Sequence, residues 1–191
     1  MGALIAASLR SDFPAKIVSV VSDKPDAKGL EHAREFGIEA LAIPRGDYAS
    51  KAEHEAAVMA ALDASGAKII ALAGYMRLLS GEFVRRYSGR MINIHPSLLP
   101  AFPGLATHER ALAAGCRVHG CTVHFVTEGM DEGPIIEQEA VRIERGDTSD
   151  TLATRVLEAE HRIYPAALAM LARGEVRMSG DGRTQFENPV G

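Results

Sequence analysis

The apolar run Ile69-Ile70-Ala71-Leu72-Ala73 is the strongest indication of the fold class of this chain. No polar residue alternates with its members, which is typical of a strand buried on both faces of a parallel sheet. A helical pattern precedes the run over residues 51–64, and Met91-Ile92 begins a second buried strand after it. Strand and helix in alternation predict a sheet that is covered by helices on both faces.

The same alternation continues outward from this run in both directions. On the amino side the sequence predicts two strands and two helices, over residues 2–9 (helix), 17–21 (strand), 27–36 (helix) and 40–42 (strand). On the carboxyl side it predicts two long antiparallel strands and a long helix, over residues 117–126, 135–143 and 148–171. We therefore expect a mixed, mostly parallel, Rossmann-like open sheet in a single α/β domain over residues 1–191, with an amino-terminal half (1–100) and a carboxyl-terminal half (101–191).

The composition and net charge of the chain indicate which classes of protein it can belong to. The 191 residues are 47% hydrophobic and 24% charged, as in an ordinary globular domain. The net charge of -4 gives no general attraction to nucleic acid or to anionic membranes, and no run approaches about 18 apolar residues. We expect a cytoplasmic protein that binds neither nucleic acid nor membranes.

The two cysteines lie close together, with His119 between Cys116 and Cys121. Zinc normally takes four ligands with a recognisable second pair, and the sequence offers none. We expect free thiols and no metal.

The strand that begins at Met91 ends at side chains that could take part in catalysis. Asn93 and His95 lie two residues apart, so both would face the same side of an extended chain that Pro96 terminates. An amide donor stabilises an oxyanion, and an imidazole handles a proton. A carboxylate such as Asp131, if it folds against the imidazole, would stabilise its protonated form. These groups suit the making and breaking of a tetrahedral carbon.

Five blocks of sequence in this order resemble the glycinamide ribonucleotide formyltransferases. The blocks are Ala73-Gly74-Tyr75-Met76-Arg77-Leu78-Leu79-Ser80, Asn93 to Pro100 continuing into Pro103-Gly104-Leu105, His119 to Val126, Asp131-Glu132-Gly133-Pro134, and Glu160-His161-Arg162-Ile163-Tyr164-Pro165. The resemblance covers nearly every residue. It implies transfer of a formyl group from 10-formyltetrahydrofolate, as cosubstrate, to the amine of glycinamide ribonucleotide in purine biosynthesis.

The resemblance also implies roles for individual residues. Asn93, His95 and Asp131 match the catalytic trio. The folate pocket would be lined by Met76, Arg77, Leu78 and Leu79, with Asn93 also in contact and Lys51 near the acidic tail of the folate. Glu160 would hold the ribose hydroxyls of the substrate. The expected partners are these two small molecules, and the expected assembly is a monomer or a homodimer.

The chain departs from the family pattern at its amino end and at Ala106. The family's first strand and its Gly-Ser-Asn phosphate loop would end immediately before Met1, and the chain opens on a helix instead. We expect Met1 to be an internal methionine of a longer natural chain; a truncated or divergent protein is the alternative. Many bacterial relatives carry a polar residue, often His, in place of Ala106.

Two other functions remain open. One is 10-formyltetrahydrofolate deformylase, a hydrolase that shares the trio but usually reads His-His-Ser where this chain reads His95-Pro96-Ser97 and has an added regulatory domain. The other is a truncated, inactive folate-binding chain. Methionyl-tRNA formyltransferases share Asn-x-His, but they carry a further domain and a more basic surface.

Overall fold

The computed structural model describes residues 1–75 and 77–187. Its helices are α1 (Gly2–Ser8), α2 (Lys28–Glu35), α3 (Lys51–Ala64), α4 (Gly81–Arg86), α5 (Thr107–Ala113) and α6 (Ser149–Arg173), with a 3-10 turn at Arg45–Asp47. Its strands are β1 (Ser19–Ser22), β2 (Glu39–Ala42), β3 (Ile70–Leu72), β4 (Met91–His95), β5 (Val118–Phe125), β6 (Ile135–Arg142), β7 (Val176–Met178) and β8 (Thr184–Phe186).

The four central strands form one mixed sheet in the order β3-β4-β5-β6. The pair β3 and β4 is parallel, whereas β4 with β5 and β5 with β6 are antiparallel. The predicted mixed sheet with an antiparallel carboxyl-terminal part is confirmed. The first two strands form a separate parallel pair, β1 with β2, because no strand in the described residues joins that pair to β3.

Helix α6 covers one face of the central sheet. Thr148 caps its first turn, since its hydroxyl accepts a hydrogen bond from the Thr151 N–H and the Thr151 hydroxyl bonds back. Leu152, Val156 and Ile163 recur at the three- and four-residue spacing of one helix face, and all three are buried. They belong to the main core with residues of β4, β5 and β6. In the described part of the chain, no helix is both long and apolar enough to cross a membrane.

Tyr164 ties α6 to the parallel strands. Its buried hydroxyl donates to the Leu72 carbonyl oxygen at 2.6 Å and lies 3.2 Å from the Ile92 carbonyl oxygen. The side chain therefore bridges β3 and β4 one residue before Asn93. This contact fixes the part of the sheet that carries the reactive side chains.

Replacing Tyr164 with Phe should lower the free energy of unfolding by about 1–3 kcal/mol, because it leaves buried carbonyl groups without their donor. Urea unfolding followed by circular dichroism measures the change. Tyr48→Phe is the matched control and should stay within about 0.5 kcal/mol of the parent. Equal midpoints for the Tyr164→Phe variant and the parent would contradict the bridging role.

Candidate active site

Asn93 and His95 occupy the carboxyl end of β4. Two residues apart on a strand, they project on the same side, as the sequence predicted. β4 lies between β3 and β5, so the sheet holds its backbone from both sides. His95 is buried, whereas Asn93 is partly exposed. The buried imidazole is therefore held in place, and the Asn93 side chain on the same side of the strand is accessible from solvent.

The His95 ring contacts an acceptor through each nitrogen. Nδ1 lies 3.4 Å from Asp131 Oδ2, and Nε2 lies 3.0 Å from the Phe102 carbonyl oxygen. A carbonyl oxygen and a carboxylate both accept hydrogen bonds, so a ring that donates from both nitrogens satisfies both partners.

A tight turn between β5 and β6 brings Asp131 to this position. Asp131 has a left-handed backbone, with φ of +55°, and its Oδ2 accepts a hydrogen bond from the Gly104 N–H at 2.8 Å. Gly133 allows the turn to pass under β5, because a Cβ at that position would lie 1.7 Å from the Phe125 carbonyl oxygen. The carboxylate is only 13% exposed. The contact between Asp131 and His95, which the sequence left conditional, is present.

His124 orients the Asn93 amide, a role that the sequence reasoning missed. It lies directly opposite Asn93 on β5, and Asn93 Nδ2 lies 3.3 Å from His124 Nε2. His124 Nδ1 donates to the Phe125 carbonyl oxygen at 2.8 Å, so Nε2 is the accepting nitrogen. Burial lowers the pKa of His124 and keeps the ring neutral. One N–H of Asn93 is thereby held by His124, and the second has no partner in the part of the chain that the structure describes.

A second set of hydrogen bonds fixes the loop after His95. The Thr122 hydroxyl donates to the Ser97 carbonyl oxygen at 2.7 Å and accepts from the Leu99 N–H at 3.0 Å. Gln138 Nε2 donates both to Thr122 Oγ1 at 2.8 Å and to the Leu99 carbonyl oxygen at 2.9 Å. The loop ends at Ala106, an exposed residue with φ of +54° just before α5. The backbone that presents the Phe102 carbonyl to His95 is therefore rigidly attached to β5 and β6.

Two histidines pack behind this loop, of which His119 is buried and His108 is partly buried. The rings of His108 and His119 meet edge to face at 5.2 Å. Burial, with a smaller contribution from the charge of His108, lowers the pKa of His119 from 6.5 to about 4. The folded protein therefore keeps this ring neutral under mildly acidic conditions.

Acid should destabilise the fold through His119. Between about pH 6.5 and pH 4 the unfolded chain binds a proton at this position and the folded chain does not, so the free energy of unfolding falls as the pH is lowered. The loss should reach about 2–3 kcal/mol. Urea unfolding at several pH values should show a flatter profile for His119→Phe. The exposed control His161→Phe should keep the slope of the parent; a parental slope in His119→Phe would refute this origin.

The residues expected to line the folate pocket follow β3. Arg77 Nε donates to Asp23 Oδ2 at 2.7 Å. Leu78 is 61% exposed, and Leu79 packs against the core cluster around Phe83. Met76 lies outside the described residues. Of the three described residues, Leu78 is therefore an exposed apolar side chain, and Arg77 beside it is already paired with Asp23.

Lys51 is connected to the same segment through Glu55. The Lys51 ammonium lies 3.6 Å from Glu55 Oε1, and the buried Glu55 carboxylate accepts a hydrogen bond from the Ser80 N–H at 3.0 Å. Lys51 remains half-exposed at the start of α3. Its charge is thus held near the end of the expected folate segment.

Glu160 is on α6, and the described residues show no hydrogen bond or ion pair between it and Asn93, His95 or Asp131. Burial raises the pKa of its carboxyl group, and the Met1 amino group opposes that rise. The structure therefore places Glu160 beside the amino terminus of the chain.

Both cysteines are free thiols. Cys121 is buried, which raises the pKa of its thiol to about 12, and Cys116 is partly buried. Among residues 1–75 and 77–187, no group of three or more His, Cys, Asp or Glu side chains is arranged to hold a metal ion.

Comparison with known proteins identifies the family. The family model described as "Formyl transferase" matches residues 1–168. The chain belongs to the formyl transferase family. This match covers α1 through most of α6, so it includes every candidate site residue.

Named members of the formyl transferase family are similar over most of the chain. A phosphoribosylglycinamide formyltransferase of Bacillus subtilis is 43% identical over 169 residues, which cover 88% of this chain and 87% of that protein. The crystal structure of phosphoribosylglycinamide formyltransferase from Brucella melitensis superposes with a TM-score of 0.87 at 59% identity, covering 90% of this chain and 88% of that one. The resemblance and the fold class inferred from the sequence are confirmed.

A larger formyl transferase relative also matches. The trifunctional purine biosynthetic protein adenosine-3 of Bos taurus is 48% identical over 181 residues. These residues cover 95% of this chain but only 18% of that protein. The chain therefore corresponds to a small part of the trifunctional relative.

Proposed function

We propose that this chain transfers the formyl group of 10-formyltetrahydrofolate to the amine of glycinamide ribonucleotide, a step of purine biosynthesis. The observation that carries the proposal is the assembly at the end of β4: a His95 ring paired with Asp131, beside an Asn93 amide with one free N–H. The names of the similar bacterial proteins support the same substrate.

The reaction exchanges one carbon–nitrogen bond for another. The amine attacks the formyl carbon, the new bond forms, and the formyl oxygen gains negative charge. The free N–H of Asn93 and an N–H of His95 stabilise that oxygen. When the tetrahedral carbon collapses, its bond to the folate nitrogen breaks, and the proton lost by the amine passes through His95 to that nitrogen. The products are the formylated amide and tetrahydrofolate.

To stabilise the oxyanion, His95 needs an N–H that the substrate can reach. Its Nε2–H is donated to the Phe102 carbonyl oxygen, whereas Nδ1 faces Asp131. The Nε2–H would move from the neutral carbonyl to the substrate oxygen as charge develops there, since a charged acceptor makes the stronger bond. Asp131 would hold the ring in place through its contact with Nδ1. Nε2 would thus act on the substrate while Nδ1 stays with Asp131, which agrees with the two different partners of the ring.

The remaining residues would bind the two substrates. Met76, Arg77, Leu78 and Leu79 would line the folate pocket, and Lys51 would attract the acidic tail of the folate. The half-exposed Lys51 ammonium and the exposed Leu78 support this assignment. Glu160 would accept hydrogen bonds from the ribose hydroxyls. We place the protein in the cytoplasm as a monomer or a homodimer.

The experiment that tests the function measures tetrahydrofolate released from 10-formyltetrahydrofolate by the 191-residue chain, with and without glycinamide ribonucleotide. Release that requires the amine supports the transferase. Release at equal rates in both reactions would identify a deformylase instead, and no release in either would identify an inactive chain. The His95→Ala variant serves as the blank.

A further inference from the structure

A single peptide group links Arg110 to Asp131. The Gly104 N–H donates to Asp131 Oδ2 at 2.8 Å, and the carbonyl oxygen of Pro103 accepts from Arg110 Nη1 at 2.6 Å. Both of these backbone atoms belong to the Pro103–Gly104 peptide group, which is trans. In a trans peptide group the N–H and the C=O point in opposite directions. Arg110 and Asp131 therefore hold the same planar unit from its two sides.

The charge of Arg110 strengthens the hydrogen bond at the far side of this peptide group. A guanidinium group stays protonated, so its bond to the Pro103 carbonyl oxygen is charge-assisted. A carbonyl that accepts such a bond is polarised, and the N–H of the same peptide group becomes a better donor. Arg110 thus favours the bond from Gly104 to Asp131 without contacting Asp131 itself.

Arg110 also contacts the residues on either side of this peptide group. Its Nη1 lies 3.2 Å from the Leu105 carbonyl oxygen, and its guanidinium carbon lies 5.5 Å from the centre of the Phe102 ring. The Phe102 carbonyl oxygen is the acceptor that faces His95 Nε2 at 3.0 Å. The guanidinium therefore holds the loop 102–106 at three residues, and this loop contacts both His95 and Asp131.

The backbone of the loop 102–106 needs such support. Phe102 and Ala106 have φ of +55° and +54°, in the left-handed region that residues with a Cβ adopt only at a cost. Arg110 lies on α5, and its N–H donates to the Ala106 carbonyl oxygen at 3.0 Å. The Thr107 hydroxyl attaches the first turn of α5 to the Pro96 carbonyl oxygen at 2.7 Å. The helix therefore gives Arg110 a fixed base from which to hold the loop.

We propose that Arg110 is a positioning residue of the candidate active site, which holds Asp131 against His95 through the Pro103–Gly104 peptide group. Its effect on catalysis rests on the proposed function, whereas its effect on the loop does not. Arg110 is exposed, so it can be replaced without disturbing the core.

The first test compares the kinetics of three variants. Arg110→Met keeps a long side chain but removes the donors and the charge; kcat should fall about tenfold, and KM for 10-formyltetrahydrofolate should change less than about threefold. Nη1 alone makes both hydrogen bonds to the loop, so the ammonium of Arg110→Lys can replace it and should restore kcat to within about threefold of the parent. The control Arg117→Met removes another exposed arginine and should keep parental kcat.

A double-mutant cycle tests whether Arg110 acts through Asp131. In the Asp131→Asn background the carboxylate that Arg110 positions is already gone. The added change Arg110→Met should then lower kcat by less than about twofold, because residues that act as one unit are not additive. A purely structural role of Arg110 would lower kcat by the same factor in both backgrounds.

Hydrogen exchange measures the loop without any substrate. The Gly104 amide proton should exchange at least about tenfold faster in Arg110→Met than in the parent, because its bond to Asp131 is weakened. The control Arg117→Met should leave this rate unchanged.

Four results would overturn the proposal. These are a kcat of Arg110→Met within about twofold of the parent, an Arg110→Lys variant no more active than Arg110→Met, an undiminished effect in the Asp131→Asn background, and an unchanged exchange rate at Gly104. If the parent chain itself transfers no formyl group, the proposed function fails. The exchange rates then still decide whether Arg110 holds the loop against Asp131.

Discussion

His95→Ala and Asn93→Ala should each lower kcat for formyl transfer by about 10²–10⁴-fold while leaving the dissociation constant for the folate within a few-fold. His95 faces an acceptor on each side of its ring, the Asp131 carboxylate and the Phe102 carbonyl oxygen. Asn93 supplies an N–H whose direction His124 fixes. Both act on charge that develops in the transition state, so kcat should fall more than binding.

Steady-state rates and equilibrium folate titration measure the two effects separately. The matched control is His32→Ala, because His32 lies on α2 and its ring pairs with Glu35. That variant should retain parental kcat. Near-normal turnover in His95→Ala or Asn93→Ala would remove the trio from the mechanism. A comparable loss of folate affinity would instead assign these residues to binding.

Asp131→Asn should lower kcat on the order of 10³-fold with little loss of stability. An Asn oxygen still accepts the Gly104 N–H, so the left-handed turn is kept. The negative charge beside His95 Nδ1 is lost, so positive charge that develops on the ring during proton transfer loses its partner. The variant therefore separates the charge of Asp131 from its structural role.

The control for this variant is Glu132→Gln, which removes a neighbouring exposed carboxylate from the same turn. It should leave kcat within about twofold of the parent. Urea unfolding should place Asp131→Asn within about 1 kcal/mol of the parent. A kcat within a few-fold of the parent in Asp131→Asn would show that the carboxylate does not support His95.

Much of the fold followed from local patterns in the sequence. The helix predicted over residues 51–64 has the same bounds as α3: the Ser50 hydroxyl caps its first turn, and Gly66, with φ of +69°, follows its last turn. The strand predicted over residues 17–21 lies at Ser19–Ser22, and α6 continues two residues beyond its predicted end, to Arg173. Boundaries shift in this way because fraying and capping depend on tertiary contacts.

Only part of the candidate site could be predicted from the sequence. The spacing of Asn93 and His95 is a local property of a strand, so it could be inferred. The part played by His124 depends on the register of β5 against β4, which pairs positions 31 residues apart. The contact of Asp131 with His95 depends on a turn closed by Gly133. A single sequence displays neither long-range pairing nor close backbone approach.

The antiparallel order of β4, β5 and β6 also bears on how the molecule acquires its structure. These strands are consecutive in the chain and adjacent in space, so their pairing closes comparatively short loops. Asn93, His95, His124 and Asp131 all lie on them or on their connections. The chemical centre should thus assemble early, before the distant pair β1 and β2 docks. Changes in the amino-terminal elements could then accumulate over evolution with little effect on the reacting groups.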